Sequence, residues 1–472
     1  VALSPILSIA QRALLANETA LEVTSNNVAN VNTPGYSRQA PEFTNTQPIL
    51  NSAGVFIGTG VTVRRVIQVV DDLLDKQILR TQTTAKEHAT LRDRLDRLGA
   101  ALNDLQEPAL SSQLGAFFDA VDDLAQNPAG LAERQTVLGR ASALAGELNR
   151  RSDAVATLQR GADDAAQASA GRANDLLTQL GTLNVAIVSA ELKGQRANDL
   201  RDERRTVLGE LAGILPIQAV EQEFGAVNLY SSSGLALVNG GAVVHTLDTR
   251  SGAIGLDGLA LHDIGFRDQA GNFLDIPAAF DRGEIAALVA ARDGQYVAAS
   301  TALDTFSNAL RDSVNAIQTA GVDLDGNATT LQPLFGGAGA ANLTVLLDPT
   351  TDPTAVRKLA AALTTQPGDN QNALALADLR TTGIAALGSA TLSAYLAMEQ
   401  GRVGEDALRA EDTSKATDLL GDQLAARRSA VSGVNLNEEL TNLLKYQRAF
   451  QAAAQCIQVA NTVLDEVVNI IR

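Results

Sequence analysis

Asp323-Leu324-Asp325-Gly326-Asn327 comes nearest to a chemical site, since spaced carboxylates closed by a glycine begin many calcium loops. An EF-hand loop needs glycine sixth and glutamate twelfth, whereas here glycine is fourth and Leu334 twelfth. Gly336-Gly337-Ala338-Gly339 has the small residues of a phosphate cradle but lacks the strand-then-lysine pattern that goes with one. His88 lies in a charged helical stretch, and His245 and His262 lie in a strand-rich region without a clustered acid or nucleophile, so each reads as structural or solvated. Cys456 is the only cysteine, which excludes a disulfide framework or a cysteine-based metal site within one chain. Beside Ile457 it reads as a small buried side chain. The 54 acidic residues offer no pair set apart for acid–base work. We therefore expect no catalytic residue, no cofactor and no metal, and read the chain as a non-enzyme.

At 472 residues the chain can hold two to four domains with real cores. Aromatics are only 3% and tryptophan is absent, a composition suited to long alanine-rich helices. The net charge of −17 argues against a nucleic-acid partner and against an anionic membrane surface. No apolar run reaches the length of a membrane span, and the opening residues lack a cleaved-signal pattern, so export is expected to use another route.

The elements that would position interacting residues stand out at the two ends. Leu436, Leu443, Phe450, Ile457, Leu464 and Ile471 repeat at seven, with Leu440, Ala454 and Val468 four further on from three of them. This narrow stripe predicts a coiled-coil seam, opened by an Asn435/Glu438 capping box. Leu7, Leu14, Leu21 and Val28 repeat likewise, flanked by Leu3, Ala10, Asn17 and Thr24, and predict a second one-faced helix over residues 3–30. Pattern alone allows either two ends packed in an ordinary helical domain or termini that pair with each other and with neighbouring subunits. One-sided helices of this kind are expected to be partly disordered in a monomer and to order on assembly.

Between the ends, residues 66–215 read as helix almost throughout, with breaks at Glu107-Pro108 and Asn127-Pro128. Residues 216–282 change to a period of two, with a hairpin turn at Asn239-Gly240-Gly241. Helix returns at Gly283, a loop-rich stretch covers 321–372, and helix resumes by about Leu374. The fold class is mainly α with a smaller β-rich domain. Its expected parts are a terminal coiled coil (1–36 with 432–472), a helical bundle (37–215 with 283–431) and an outer β domain (216–282).

Asn26-Asn27-Val28-Ala29-Asn30-Val31-Asn32-Thr33-Pro34-Gly35-Tyr36-Ser37-Arg38 ends the first helix, and Pro34-Gly35 suits the centre of a type II turn. This string, with Asn27, Asn30, Asn32, Pro34, Gly35 and Tyr36 as its signature, resembles the opening of bacterial flagellar axial proteins: the rod, hook and hook-associated family. Gly54–Val63, Asp71–Gln77, Asn198–Arg205, Gly283–Leu288, Val314–Ile317 and Ser432–Arg472 are similar to family sequence in the same order. The resemblance implies a secreted structural protein of the flagellum at the junction of hook and filament. Its subunits would assemble into a ring with hook protein below and a second hook-associated protein above. A cytoplasmic export chaperone would hold the C-terminal helix, and Leu443, Tyr446 and Phe450 are the residues we expect it to cover. The alternatives are a hook or distal-rod subunit, or a secreted wall-cleaving hydrolase.

Overall fold

The computed structural model describes residues 3–50, 54–103, 109–194 and 196–471, with side chains left aside at 3, 4 and 467–471. The Glu107-Pro108 break therefore lies outside the described residues, as does the side chain of Ile471.

Helix α1 (Leu3–Ala29) and the last helix, α11 (Leu436–Ile471), lie along each other, and they run in opposite directions because Asn27 near the end of α1 meets Glu439 near the start of α11. Strands β1 (Gln39–Asn45) and β4 (Val61–Gln68) form an antiparallel hairpin, extended at its tip by β2 (Ile49–Leu50) and β3 (Phe56–Ile57). This hairpin folds back along α1, so that Gly60 packs on Ile9 and the Arg12 guanidinium donates to the Thr59 carbonyl at 3.2 Å. The two helices and the hairpin make one stalk. The sequence pattern places residues from 37 onward in the bundle and Val66 in helix, and the structure differs. The β-branched Val61-Thr62-Val63 and Val66 pair with β1 instead, and helix begins only where Asp71 caps it, accepting from the Leu73 and Leu74 amides.

Below the stalk, α2 (Asp72–Leu102), α3 (Leu110–Gln126), α4 (Leu131–Glu191) and α5 (Asn198–Ile214) form the bundle, with Asn127-Pro128 breaking it between α3 and α4 as expected. The meander β5 (Ile217–Glu221), β6 (Val227–Ser231), β7 (Ala236–Asn239), β8 (Ala242–Val243) follows, and β7 turns into β8 through Gly240-Gly241, with Gly240 at φ +57°. A second antiparallel sheet has the order β11 (Phe273–Leu274), β10 (Ala260–Arg267), β9 (Thr246–Ile254). Helices α6 (Gly283–Ala290) and α7 (Tyr296–Gln318) are joined by a π-helical turn, Ala291–Gln295. The stretch after α7 holds β12 (Phe335–Gly336), β13 (Thr344–Val345) and α8 (Ala355–Lys358), then α9 (Gln371–Asp378). Although irregular, it buries Leu334, Phe335, Leu343 and Leu359 in the main core. Helix α10 (Leu392–Ser432) then runs along α2 back to the stalk.

Two cores result. One gathers Phe117, Phe118, Leu144, Phe306 and Leu310 with the loop-rich stretch; the other gathers Leu177, Leu180, Leu211, Leu229 and Phe266 between α4, α5 and the sheets. Helix α4, roughly 90 Å long at 1.5 Å per residue, contributes to both.

Candidate functional site

The residues of the opening signature meet those of the C-terminal segment in a clasp at the base of the stalk. Helix α1 ends on its asparagines: the Asn30 side-chain amide donates to the Asn26 carbonyl at 3.0 Å, and the Thr33 amide donates to the Asn30 carbonyl at 2.9 Å. Thr33-Pro34-Gly35-Tyr36 is then the expected type II turn, closed by the Tyr36 amide on the Thr33 carbonyl at 3.2 Å, with Gly35 at φ +82°. A Cβ on Gly35 would also stand 3.2 Å from Thr206 Oγ1 of α5. Asn32 and Pro34 are exposed.

The turn brings Tyr36 back onto Asn27, which is buried. Asn27 Oδ1 accepts from the Tyr36 hydroxyl and from the Gln39 amide, both at 2.9 Å, while Nδ2 donates to the Gln39 carbonyl at 2.8 Å and to Glu439 Oε2 at 3.1 Å. Burial, then Asp199, Asp202 and Glu439, push the Tyr36 phenol well above its ordinary range, so it stays a donor. One asparagine thus ties α1, the start of β1 and α11.

Arg38 extends the clasp. Its amide donates to the Ser432 carbonyl at 2.8 Å, and its guanidinium lies 2.6 Å from Glu438 and 3.2 Å from Glu439. Glu438 therefore faces Arg38, and the start of α11 is capped by Asn435, whose Oδ1 accepts from the Asn437 amide at 3.0 Å.

On its other side the clasp grips α5. The Ser37 amide donates to Asp202 at 3.0 Å, Gln39 Nε2 donates to Asp199 at 2.9 Å, and Gln68 Nε2 donates to the Asn198 carbonyl at 2.7 Å. Arg205 bonds Ser37 Oγ at 3.0 Å and Asp75 at 2.9 Å. The Asn198–Arg205 stretch is thus no solvated charged face: Asn198, Arg201, Asp202 and Arg204 are all buried. Arg204 reaches the Gly225 carbonyl, and burial followed by Arg201 lowers its pKa to about 10. Asn184 of α4 binds Val227 of the meander in both directions, at 2.8 and 3.1 Å.

Along the stalk the seam follows part of the expected repeat. Leu443, Phe450 and Ile457 are half-buried, but their companions are Tyr446, Ala453 and Ala460, three residues on from each rather than four, in a series that begins with the buried Glu439. Leu436, Leu440 and Leu464 face solvent, because α11 meets one helix and one hairpin, too little to cover both flanks of the stripe. Cys456 is exposed as well, correcting the buried reading. On α1, Leu7, Leu14, Leu21 and Val28 are half-buried, while Ala10, Ala16, Ala20, Val23 and Thr24 are buried between α11 and the hairpin. Tyr446 lies 6.1 Å from the Phe43 ring of β1.

Sequence reasoning did not single out Arg38, Gln39, Asp202, Ser432 or Glu439 as site residues. Glu439 had a legible signal, since it is the charged member of the series Glu439, Tyr446, Ala453, Ala460. His262 does have a clustered acid: its Nδ1 lies 2.7 Å from Asp163, which is fully buried and also accepts from Arg292 at 2.7 Å. The Asp323 carboxylate accepts from the Asp325 and Asn327 amides at 2.8 Å and so closes its own turn. Among the described residues no helix is long and apolar enough to cross a membrane.

Comparison with known proteins gives this arrangement a context. A family model described as the flagellar hook-associated protein FlgK helical domain matches residues 95–335, just over half of the chain. The models for the flagella basal body rod protein and for the C-terminal part of basal body rod FlgEFG proteins match residues 7–36 and 428–470, the two sides of the clasp. Flagellar hook-associated protein 1 of Bacillus subtilis (strain 168) is 27% identical over 98% of this chain and 97% of its own length. That of Salmonella typhimurium is 24% identical over 99% and 100%. The solved structure of the flagellar hook junction protein FlgK from Burkholderia pseudomallei shares the fold, with a TM-score of 0.64 at 15% identity over 76% of this chain and 100% of that one. Helical body, rod-type ends and relatives matched over nearly their whole length agree, and the chain belongs to the flagellar hook-associated protein FlgK family.

Proposed function

We propose that this protein is a structural subunit of the junction between flagellar hook and filament. The observation that carries the reading is the clasp, in which Asn27, Tyr36 and Arg38 join Ser432, Glu438 and Glu439 on top of α5. It holds a two-helix stalk, with Leu436, Leu440 and Leu444 exposed along one row of α11, on a folded body. Such a stalk is suited to packing against neighbouring stalks, leaving the bundle and sheets to face outward. Subunits assemble as a ring through α1 and α11, with hook protein below and a second hook-associated protein above.

Before assembly the chain travels through the flagellar export apparatus, and a cytoplasmic chaperone covers Leu443, Tyr446 and Phe450. These residues are half-buried against α1 and the hairpin, so the chaperone and the closed stalk compete for one surface. The test is a strain deleted for its own copy: bare hooks with flagellin lost to the medium are expected, and this chain should restore attached filaments. Attached filaments in the deleted strain would overturn the reading.

A further inference from the structure

The hairpin tip is unlike the rest of the surface. From Phe43 to Val63 the sequence holds no Asp, Glu, Lys, Arg or His, within a chain of net charge −17. Ile49, Leu50, Phe56 and Ile57 all stand in solvent there, Phe56 at 72% exposure. Among the described residues β2 and β3 pair only with each other. An uncharged two-stranded tip with four large apolar side chains in solvent is a surface that folded proteins cover.

A second uncovered apolar surface lies on the same chain. Leu436, Leu440 and Leu444 form one row on the outside of α11, and Leu440 and Leu444 are each 52% exposed. Within one molecule the two surfaces cannot meet. The row begins beside Asn27, through the Glu439 contact, while the tip extends beyond Gly60, which packs on Ile9. From Ile9 to Asn27 is roughly 27 Å of helix, and Leu444, five residues on from Glu439 toward the tip, still lies roughly 20 Å from the level of Ile9.

We propose that the tip of one subunit, through Phe56 and Ile57 of β3 and Ile49 and Leu50 of β2, docks on the Leu436–Leu440–Leu444 row of the next copy of this chain. Two different patches that complement each other make a heterologous contact, which propagates from copy to copy and closes into a ring when the rotation allows. The absence of charge on the tip fits an all-leucine row and disfavours a partner chosen by charge. The contact deepens the ring assembly proposed above and rests on it.

The test uses the full-length chain with Cys456→Ala, which removes its only cysteine. Two such chains with different tags, one carrying Phe56→Cys and the other Leu440→Cys, are expressed together in the deleted strain, and isolated flagella are treated with a short bis-maleimide. A heterodimer is expected, absent when either chain is present alone. Recovery of both chains in the flagella without the heterodimer overturns the docking while leaving the junction role intact. Absence of both chains from the flagella, with wild-type chain absent too, overturns the junction role and the docking with it. In a second arm, Phe56→Glu lowers the amount of chain recovered by more than about tenfold, and Leu440→Lys in the same chain restores it. Equal recovery of the single and double variants counts against the contact.

Discussion

Asn27 uses all of its side chain: two donors and one acceptor oxygen hold three separate segments, in a position nearly closed to water. Replacing it by alanine strands the Gln39 amide and Glu439 Oε2 and should cost about 1–3 kcal/mol, read as a lower urea midpoint and faster amide exchange at residues 31–39. Asp163 is the other buried polar centre whose removal has a calculable consequence. Burial alone would raise its carboxyl, but hydrogen bonds from His262 and Arg292 outweigh burial and hold it below the usual range. A carboxyl depressed by folding adds stability that is full above about pH 4 and is lost as pH falls through the lowered value. Asp163→Asn leaves Arg292 paired with Asp293 alone and weakens the contact with His262, and should destabilise by about 1–3 kcal/mol. It should also flatten the acid limb of the urea midpoint below about pH 4. At this scale the sequence was partly legible. The Pro34-Gly35 turn follows from local backbone rules, whereas the pairing of Asn27 with Glu439 depends on two residues far apart in the chain, and no spacing announces it.

The terminal helices show what periodicity carries and where it stops. A repeat of seven located the Leu443, Phe450, Ile457 series, but it could not choose between companions at three and at four. Large leucines took the eye at Leu440, while the helix that packs closely here does so over Ala453 and Ala460. Sequence does not place the hairpin on the stalk, because its strands carry few large buried residues to mark the face that packs on α1. Phe450→Asp should abolish incorporation into flagella while leaving the bundle and sheets folded, as read by unchanged far-ultraviolet circular dichroism and normal bundle exchange; normal junctions would remove the seam from the argument. Gly35→Ala should cost about 1–2 kcal/mol through its left-handed φ, seen as a lower thermal midpoint.

Across the whole molecule the body and the stalk differ in how they are held. The body has two cores of fully buried large side chains, while the stalk buries mainly alanines and one valine on α1 and leaves leucines outside. Hydrogen exchange on the dilute chain should therefore be fast at residues 3–30 and 440–472, slow in the bundle, and slow in both once assembled; equal protection in the dilute chain would contradict assembly-coupled ordering. Helix α4 has a consequence of a different kind. As one continuous helix with buried residues in both cores, it ties the loop-rich core to the sheet core, and the two are expected to turn together under load. The chain passes between stalk and body at 69–71 and at 433–435, and Arg38 braces both passages through its backbone bonds to Val69 and Ser432.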